Sequence, residues 1–587
     1  MKKFKKVMIL FIVFALCFST LIGCEKKEDV QVDTGDTTNI EQANEIKEDE
    51  IKMDKDQTFK YSDNSDITGL NPMLNTTGPD NGVHNFIFET LVKEVTDEKG
   101  NTVILPAAAK DWKVSADGTV YTFNIREDAV WNDGVPVTAN DFLFTFRTMA
   151  KPEVGSTNAW LFDGIIVNFG ESLYNDGIDP QYDKKPEDIG VKVIDDKTIE
   201  FTLVKPYGYF LDLLTGAKPV RQDKFEKWGT EYGSSIDKVV MNGPFLLESW
   251  DPNVQMTFVK NEKYWGASDV KLQKIERKLI QDPATAAQAL LSGEIDVVGA
   301  RDTEWIDLIS ADGRFDMTIT PGNAPEFFGF NCSNKYFKNP KIRLAFSLAF
   351  DREKYVQDLR NGKAEPLYSM IPSVINVGDL PYRERVNGRN EVIKELLKQY
   401  PDPKALLIEG LKEEGFDPDP GKMDISYVTR GTTEYSKKSA EWLLQQWKEK
   451  LGVEIKIDMI EWNVMWDRVD AGDYDICTAG WGPYYNDPNG LLELYEPVNG
   501  YFNSKKSGWS GPDADRFAEI LVEASNSADN QERAELFVEA EKILVGTAVI
   551  VPTYTASSTF FRAKYVKNYY FNSISGVDYT KVYISGK

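Results

Sequence analysis

The sequence predicts a large α/β protein with more than one lobe, because of its length and because it repeats one local design. The chain has 587 residues, which exceeds the size at which a single hydrophobic core stops growing. Residues 282–298 and 441–457 both have the pattern of a helix followed directly by a strand. Such units build sheets that are covered by helices.

Proline and glycine residues predict where the helices of these two units begin and end. Pro283 stands in the first turn of the first predicted helix and Gly293 follows its last turn, as is typical of helix ends. Gly452 ends the second helix in the same way. The apolar residues of 453–457 then alternate with other residues, which predicts a strand.

Earlier elements follow from alternation and capping. Residues 121–125 and 199–203 alternate between apolar and polar side chains, which predicts two strands. Thr138 and Asp141 have the spacing of a capping box and therefore open a helix. Asp195-Asp196 is a pair of carboxylates, but it lies between strand-like segments and predicts a hairpin turn.

The N-terminus has the pattern of an export signal. Four lysines among the first six residues precede an apolar run from Val7 to Ile22. The run is short for a membrane span, so we expect a signal peptide over residues 1–23 instead of a permanent anchor. The segment Leu21-Ile22-Gly23-Cys24 resembles the bacterial lipoprotein signal, which implies acylation of Cys24. Residues 24–56 then form a lipidated cysteine and a polar tether that cannot bury enough surface to fold.

Composition excludes several classes of function. The formal net charge of -25 repels phosphate backbones, so we expect no nucleic-acid partner. His84 is the only histidine, and the chain has no H-E-x-x-H, G-x-S-x-G or phosphate-loop motif. We therefore expect no enzyme, no catalytic residues, no metal site and no cofactor, and we interpret His84 as a packed or loop residue.

Cys332 and Cys477 belong to no C-x-x-C motif, and we interpret them as buried thiols, although sequence does not decide whether they pair.

Five ordered blocks resemble the peptide-binding family of bacterial solute receptors, which serve importers of oligopeptides, dipeptides and nickel. The blocks span nearly all of the chain after the tether. They are Trp112–Gly118 continuing to Phe142, Asn242-Gly243-Pro244-Phe245 with Trp265, Ser292–Asp296, Arg343 to Arg352, and Gly480-Trp481 with Tyr485 and Asp487-Pro488.

The resemblance implies a two-lobed fold like that of periplasmic binding proteins, with a hinge and an extra domain inserted in the first lobe. The first lobe would be discontinuous, with residues 57–91, 216–324 and 546–587. The inserted domain would span residues 92–215, and the second lobe residues 325–545. A ligand would lie in the cleft, over which the lobes close.

The resemblance also implies how the cleft binds a peptide. An extended ligand adds to short strand segments through backbone hydrogen bonds, which are indifferent to side chains. The candidate ligand-binding residues lie in two segments of the sequence. They are Asn75, Thr76, Thr77, Gly78, Trp481, Gly482, Tyr484, Tyr485 and Asp487.

Two positions depart from the family pattern. Peptide-binding members carry an aspartate for the ligand's amino terminus where this chain has Tyr484. Because a buried ammonium needs a carboxylate partner, either Asp487 or another acid takes this role, or the ligand lacks a free amine there. Some relatives carry a basic residue for the ligand's C-terminal end where this chain has Thr478.

The sequence thus predicts a monomeric, lipid-anchored extracellular or periplasmic receptor on the outer face of the cytoplasmic membrane. Its partners would be a small solute, most simply an oligopeptide, and the permease of an ABC importer. Oligosaccharides are the second ligand class, because 13 Trp and 26 Tyr supply stacking surfaces. Metal complexes come third, and a peptide-signal sensor would use the same binding chemistry. An extracellular hydrolase is the rival from another class.

Overall fold

Two large sheets organise the chain in the computed structural model, which describes residues 52–431 and 434–587. Residues 53–587 form one compact unit. The predicted signal peptide, Cys24 and nearly all of the predicted tether lie outside the described residues. None of the helices in the described part of the chain is long and apolar enough to cross a membrane.

The strands are, in chain order, β1 (Thr58–Asp63), β2 (Val92–Thr96), β3 (Thr102–Pro106), β4 (Ala109–Val114), β5 (Val120–Ile125), β6 (Val191–Asp195), β7 (Thr198–Thr202), β8 (Phe245–Asp251), β9 (Gln255–Lys260), β10 (Lys274–Leu279), β11 (Val297–Ala300), β12 (Phe315–Thr320), β13 (Pro325–Phe330), β14 (Ala364–Pro366), β15 (Asn376–Val377), β16 (Leu380–Pro381), β17 (Ser426–Arg430), β18 (Lys456–Ile460), β19 (Ile476–Gly480), β20 (Ile550–Ala556), β21 (Ser558–Ala563), β22 (Val566–Lys567) and β23 (Tyr583–Ile584).

The α-helices are α1 (Gly78–Ile87), α2 (Ala139–Met149), α3 (Phe169–Leu173), α4 (Phe210–Gly216), α5 (Gln222–Trp228), α6 (Pro283–Ser292), α7 (Thr303–Asp312), α8 (Pro340–Ala349), α9 (Arg352–Arg360), α10 (Tyr382–Arg385), α11 (Val392–Gln399), α12 (Pro403–Glu413), α13 (Glu434–Leu451), α14 (Trp462–Ala471), α15 (Asn489–Leu492), α16 (Ser504–Ser507), α17 (Pro512–Asn526) and α18 (Asn530–Leu544).

The first large sheet has the strand order β12-β21-β11-β1-β10-β9-β8. Its centre is parallel, because β1 runs parallel to both β10 and β11, and its remaining pairs are antiparallel. The second large sheet has the order β14-β20-β13-β19-β17-β18. There β17 runs parallel to β18 and β19. Each sheet has its own main hydrophobic cluster, so the chain builds two lobes.

An antiparallel sheet with the order β4-β5-β7-β6 lies in the predicted inserted domain. The two strands predicted from alternation are confirmed and pair with each other, Phe123 opposite Ile199. The turn predicted at Asp195-Asp196 joins β6 to β7. The buried residues of this sheet belong to the same hydrophobic cluster as those of the first lobe, so the insertion packs onto that lobe without a separate core.

The predicted helix ends are confirmed where capping chemistry defined them. Thr138 caps α2 in a capping box with Asp141. Pro283 begins α6, and Gly293 follows it in the left-handed conformation that favours glycine. Helix α13 begins at residue 434, earlier than predicted. Strand β18 begins at Lys456, later than the alternation of residues 453–457 predicts, because its pairing with β17 begins there, with Lys456 opposite Ser426.

One boundary of the predicted first lobe is wrong. Residues 546–587 are predicted to lie in that lobe, but Ile550–Ala556 pairs with β13 and β14 in the second sheet. All but one of its residues are buried. The chain therefore passes from the second sheet to the first at Ser557, between β20 and β21. The other crossing is residues 321–324, between β12 and β13.

The two cysteines of the described body are both free and buried in the second lobe. Cys477 lies in β19, and its side chain is 2% exposed. Burial raises the pKa of the Cys477 thiol to about 12, so it stays protonated and unreactive. Their interpretation as small buried apolar residues is confirmed.

Candidate functional site

The first predicted ligand segment, residues 75–78, is the entry to α1. Thr77 is its N-cap, and Asp80 completes a capping box by accepting from the Thr77 backbone. Thr68 also donates to Asp80 from its backbone N–H and its hydroxyl. Burial opposes ionisation of Asp80, but the hydrogen bonds from Thr77 and Thr68 outweigh it and lower its pKa. The segment is therefore held in place by a buried carboxylate.

Thr77 and Gly78 are exposed, while Asn75 and Thr76 are half-buried. The Asn75 amide donates to the Thr68 hydroxyl over 3.0 Å. The hydroxyls of Thr76 and Thr157 lie 2.8 Å apart, which joins this segment to the loop that precedes Trp160. Segment 75–78 thus lies at the surface beside the inserted domain.

The second predicted segment continues from β19, which pairs with β13 in the second sheet. Trp481 donates its backbone N–H to the Pro325 carbonyl over 3.2 Å, which extends the ladder by one residue. Gly482 and Tyr484 are exposed, and Tyr484 is 57% exposed. The backbone beyond Trp481 is therefore accessible to a ligand.

Aromatic contacts join the second segment to the inserted domain. The rings of Trp160 and Tyr484 meet edge to face with centroids 4.7 Å apart. Tyr209 and Tyr485 stack at 4.1 Å with an angle of 15° between their planes. Because Trp160 follows Thr157 closely, in the 3-10 helix Ala159–Phe162, the structure brings both predicted segments to one region between the lobes. The sequence did not predict Trp160 and Tyr209 as site residues, because a single aromatic residue is as typical of a packed core as of a binding surface.

Asp487, which the sequence predicts as a ligand-binding residue, is buried in an ion pair. Its side chain is 1% exposed and forms an ion pair of 2.6 Å with Arg533 of α18, which is also 1% exposed. A Cβ atom at Gly208 would lie 2.4 Å from the Arg533 guanidinium, so the inserted domain closes over this pair. The signal in the sequence was an arginine at a position of α18 whose neighbours Ala534 and Phe537 are core residues.

A cavity of about 190 Å³ lies in the second lobe beside the second segment. Arg360 lies between the rings of Tyr435 and Tyr554, 4.5 Å from each centroid, and donates to the Tyr554 hydroxyl. Arg430 forms an ion pair with Glu326. Thr478 lines the same cavity, so two arginines lie near the position at which some relatives carry a basic residue.

His84 is a packed residue, as expected. It is fully buried in α1, and its ring meets Phe88 edge to face with centroids 5.6 Å apart. Burial, and then the positive charge of Lys218, lower the pKa of His84 to about 4. The imidazole is therefore neutral at physiological pH. Among the described residues, no group of three or more His, Cys, Asp or Glu side chains could hold a metal ion.

Replacing Asp487 by asparagine should lower the free energy of unfolding by about 3–5 kcal/mol, because Arg533 would keep a buried charge without its partner. Urea unfolding of residues 53–587 measures the loss. The matched control is Asp379→Asn, which breaks an ion pair with Arg385 in which Asp379 is 83% exposed and should cost at most about 1 kcal/mol. Equal losses in the two variants would contradict a structural role for Asp487.

Comparison with known proteins places these features in a family. The sequence profile of "Bacterial extracellular solute-binding proteins, family 5 Middle" matches residues 103–503. The chain is 29% identical to the dipeptide-binding protein DppE of Bacillus subtilis over 584 residues, which covers 98% of this chain and 99% of that protein. It is 30% identical to the oligopeptide-binding protein OppA of Bacillus subtilis, with coverage of 85% and 87%.

Solved structures confirm the two-lobed α/β fold. The periplasmic murein tripeptide binding protein MppA, in its unliganded open form, matches with a TM-score of 0.75 at 25% identity, covering 91% of this chain and 98% of that one. OppA of Listeria monocytogenes bound to peptide matches with a TM-score of 0.63 at 26% identity, covering 91% and 100%. The family consists of solute-binding proteins and not of enzymes, as the sequence predicts. The chain belongs to the bacterial extracellular solute-binding proteins of family 5.

Proposed function

We propose that this protein is a lipid-anchored receptor that binds oligopeptides between its lobes and delivers them to the permease of an ABC importer. The observation that carries the proposal is the cavity around Arg360, which lies beside the accessible end of β19. A short peptide extended along residues 480–482 would place its carboxylate in this cavity. The peptide-binding relatives support the same ligand class.

The charges of the cavity suit a single carboxylate. Glu326 offsets the charge of Arg430, whereas Arg360 contacts tyrosine rings and a hydroxyl. Guanidinium groups bind carboxylates through paired hydrogen bonds, and such bonds are stronger away from water. Glycine at 480 keeps the path open, because a Cβ there would lie 2.8 Å from the Glu326 carboxylate. The cavity thus provides one uncompensated positive charge at the strand end.

Backbone recognition would hold the rest of the peptide. Gly482 is exposed and has no side chain to cover its peptide groups, and Thr77 and Gly78 are exposed on the opposite side. Strand addition between such segments gives affinity that does not depend on ligand side chains. Asn75, Thr76, Trp481, Tyr484 and Tyr485 would form the walls.

Cys24 would carry the lipid anchor after removal of residues 1–23. Two or more acyl chains give stable attachment where one is marginal. The polar residues up to 56 would tether a monomeric body to the outer face of the cytoplasmic membrane. The partner would be the membrane permease, which would recognise the loaded closed state in preference to the open one.

Oligosaccharides are the second candidate, and the exposed aromatic residues favour them. Trp160 is 45% exposed and Tyr484 57% exposed, and their rings meet at the cleft. Trp481 lies 6.4 Å from Tyr484 and 4.9 Å from Tyr501 between ring centroids. A row of accessible aromatic faces can stack on sugar rings as well as on peptide side chains.

A thermal-shift screen separates the two classes. Residues 53–587 should be unfolded, refolded without ligand, and mixed with a random peptide pool or with an oligosaccharide pool. A ligand at about a hundred times its Kd stabilises the folded state by about 2.7 kcal/mol, so the midpoint should rise with peptides. A rise with sugars alone would overturn the peptide proposal.

Acetylation of the peptide's amino terminus should change its affinity less than twofold, because Tyr484 offers no carboxylate and Asp487 is paired with Arg533. Calorimetry on one peptide in free and acetylated form measures this. In Tyr484→Asp the free form should bind about tenfold more tightly than the acetylated form, through a new charge-assisted hydrogen bond. A large loss on acetylation in the unchanged protein would show that another acid binds the amine.

Replacing Arg360 by methionine should weaken binding of a free-acid peptide about tenfold, because the carboxylate loses a charge-assisted partner. The same peptide with a C-terminal amide should be affected much less. Lys354→Met is the control, since Lys354 lies on the same helix but pairs with Asp358 at the surface. If Arg360→Met weakens acid and amide equally, the cavity does not receive the carboxylate.

A further inference from the structure

A larger cavity, of about 680 Å³, lies within the first lobe and the insertion. It is bounded by α1, β2, the end of α4 and the C-terminal segment 569–580. It adjoins the first ligand segment, because Asn81 lines it and donates from its side chain to the Thr76 carbonyl over 3.0 Å. A group that entered beside Thr76 would therefore reach this cavity.

Most charges in the cavity are already matched. Lys93 pairs with Asp578 over 3.7 Å, and Asp63 pairs with Arg277 over 3.1 Å. Glu89 accepts a hydrogen bond of 2.9 Å from the Tyr264 hydroxyl.

Glu94 and Lys218 differ from these groups. Both line the cavity, but they form no ion pair with each other among the described contacts. The Lys218 side chain is 7% exposed, and its ammonium donates to the Thr215 carbonyl over 2.7 Å. Burial raises the pKa of Glu94 to about 7 and lowers that of Lys218 to about 8, because each charge is only partly compensated by the other. Asp212, which is half-buried, places a further carboxyl near Glu94.

We propose that this cavity binds an amino-acid group, with Glu94 receiving the ammonium and Lys218 the carboxylate. A ligand that carries both charges close together would pair with half-buried Glu94 and buried Lys218 at once, whereas a purely cationic or anionic group would leave one of them unmatched. The group can belong to a free amino acid or to the end of a peptide side chain. The second source rests on the proposed function as a peptide receptor.

Four tripeptides Ala-X-Ala that differ only at X test this inference. X is norleucine, lysine, 2-aminopimelate or 2,6-diaminopimelate, whose side chains end in a methyl, an ammonium, a carboxylate or both charged groups. Calorimetry with refolded residues 53–587 should show the diaminopimelate peptide binding about tenfold more tightly than the lysine or aminopimelate peptide. Equal affinities for all four would overturn the inference and leave the peptide proposal intact. No binding of any of the four would instead count against both.

Substitutions test which residue binds the ammonium and which binds the carboxylate of the ligand. Lys218→Met should remove the advantage of diaminopimelate over lysine, and Glu94→Gln should remove its advantage over aminopimelate. Lys93→Met is the matched control, because Lys93 lines the same cavity but pairs with Asp578, and it should leave the ranking unchanged. If Lys218→Met keeps the full ranking while the protein stays folded by circular dichroism, the assignment is wrong. Should a variant not fold, the ranking in the unchanged protein still decides.

Free 2,6-diaminopimelate distinguishes the two sources. Binding of the free compound to protein saturated with the norleucine peptide, lost in Lys218→Met, would identify a free amino acid as the ligand. Binding only as part of the tripeptide would identify a side chain. Both outcomes support the site, and the absence of both would overturn it.

Discussion

The connection between the two lobes depends on two strands that are almost continuous in the chain but lie in different sheets. Strand β20 is paired on both sides in the second sheet, and β21 is paired on both sides in the first. Only Ser557 separates them. Because buried backbone groups must keep their hydrogen bonds, neither strand can slide without breaking a ladder. Any movement of the lobes must therefore be taken up at Ser557 and at residues 321–324.

This constraint gives the lobes freedom to rotate but little freedom to separate. The fold is more similar to an unliganded open relative, with a TM-score of 0.75, than to a peptide-bound one, with a TM-score of 0.63. In this arrangement the second lobe meets the insertion through Trp160 on Tyr484 and Tyr209 on Tyr485. Contacts between aromatic rings tolerate small rotations better than ion pairs do, because dispersion depends weakly on direction. Such contacts suit a surface on which lobes turn.

The elements whose ends are set by local chemistry could be predicted from the sequence, and those set by partners could not. The start of α2 depends on Thr138 and Asp141, which are close in the chain. By contrast, the sequence of β20 predicts a buried strand but does not indicate the lobe to which it belongs. Its pairing with β13 depends on residues about 220 positions away. The burial of Asp487 could not be predicted for the same reason, since its partner Arg533 lies 46 residues later. Such long-range pairs cannot be predicted from the local pattern of a single sequence.

The proposed carboxylate site contrasts with the rest of the protein in charge. The chain carries a net charge of -25, which disfavours the approach of an anionic group over long distances. Affinity for a carboxylate at this site would therefore have to come from short-range contacts, where water is excluded and the effective dielectric is low. Arg360 between two tyrosine rings meets that requirement, because its charge is partly desolvated before any ligand arrives. The aromatic rings also restrict the guanidinium to one orientation, so less conformational entropy is lost on binding. Specificity for a terminal carboxylate can thus be built into an acidic protein without a basic surface.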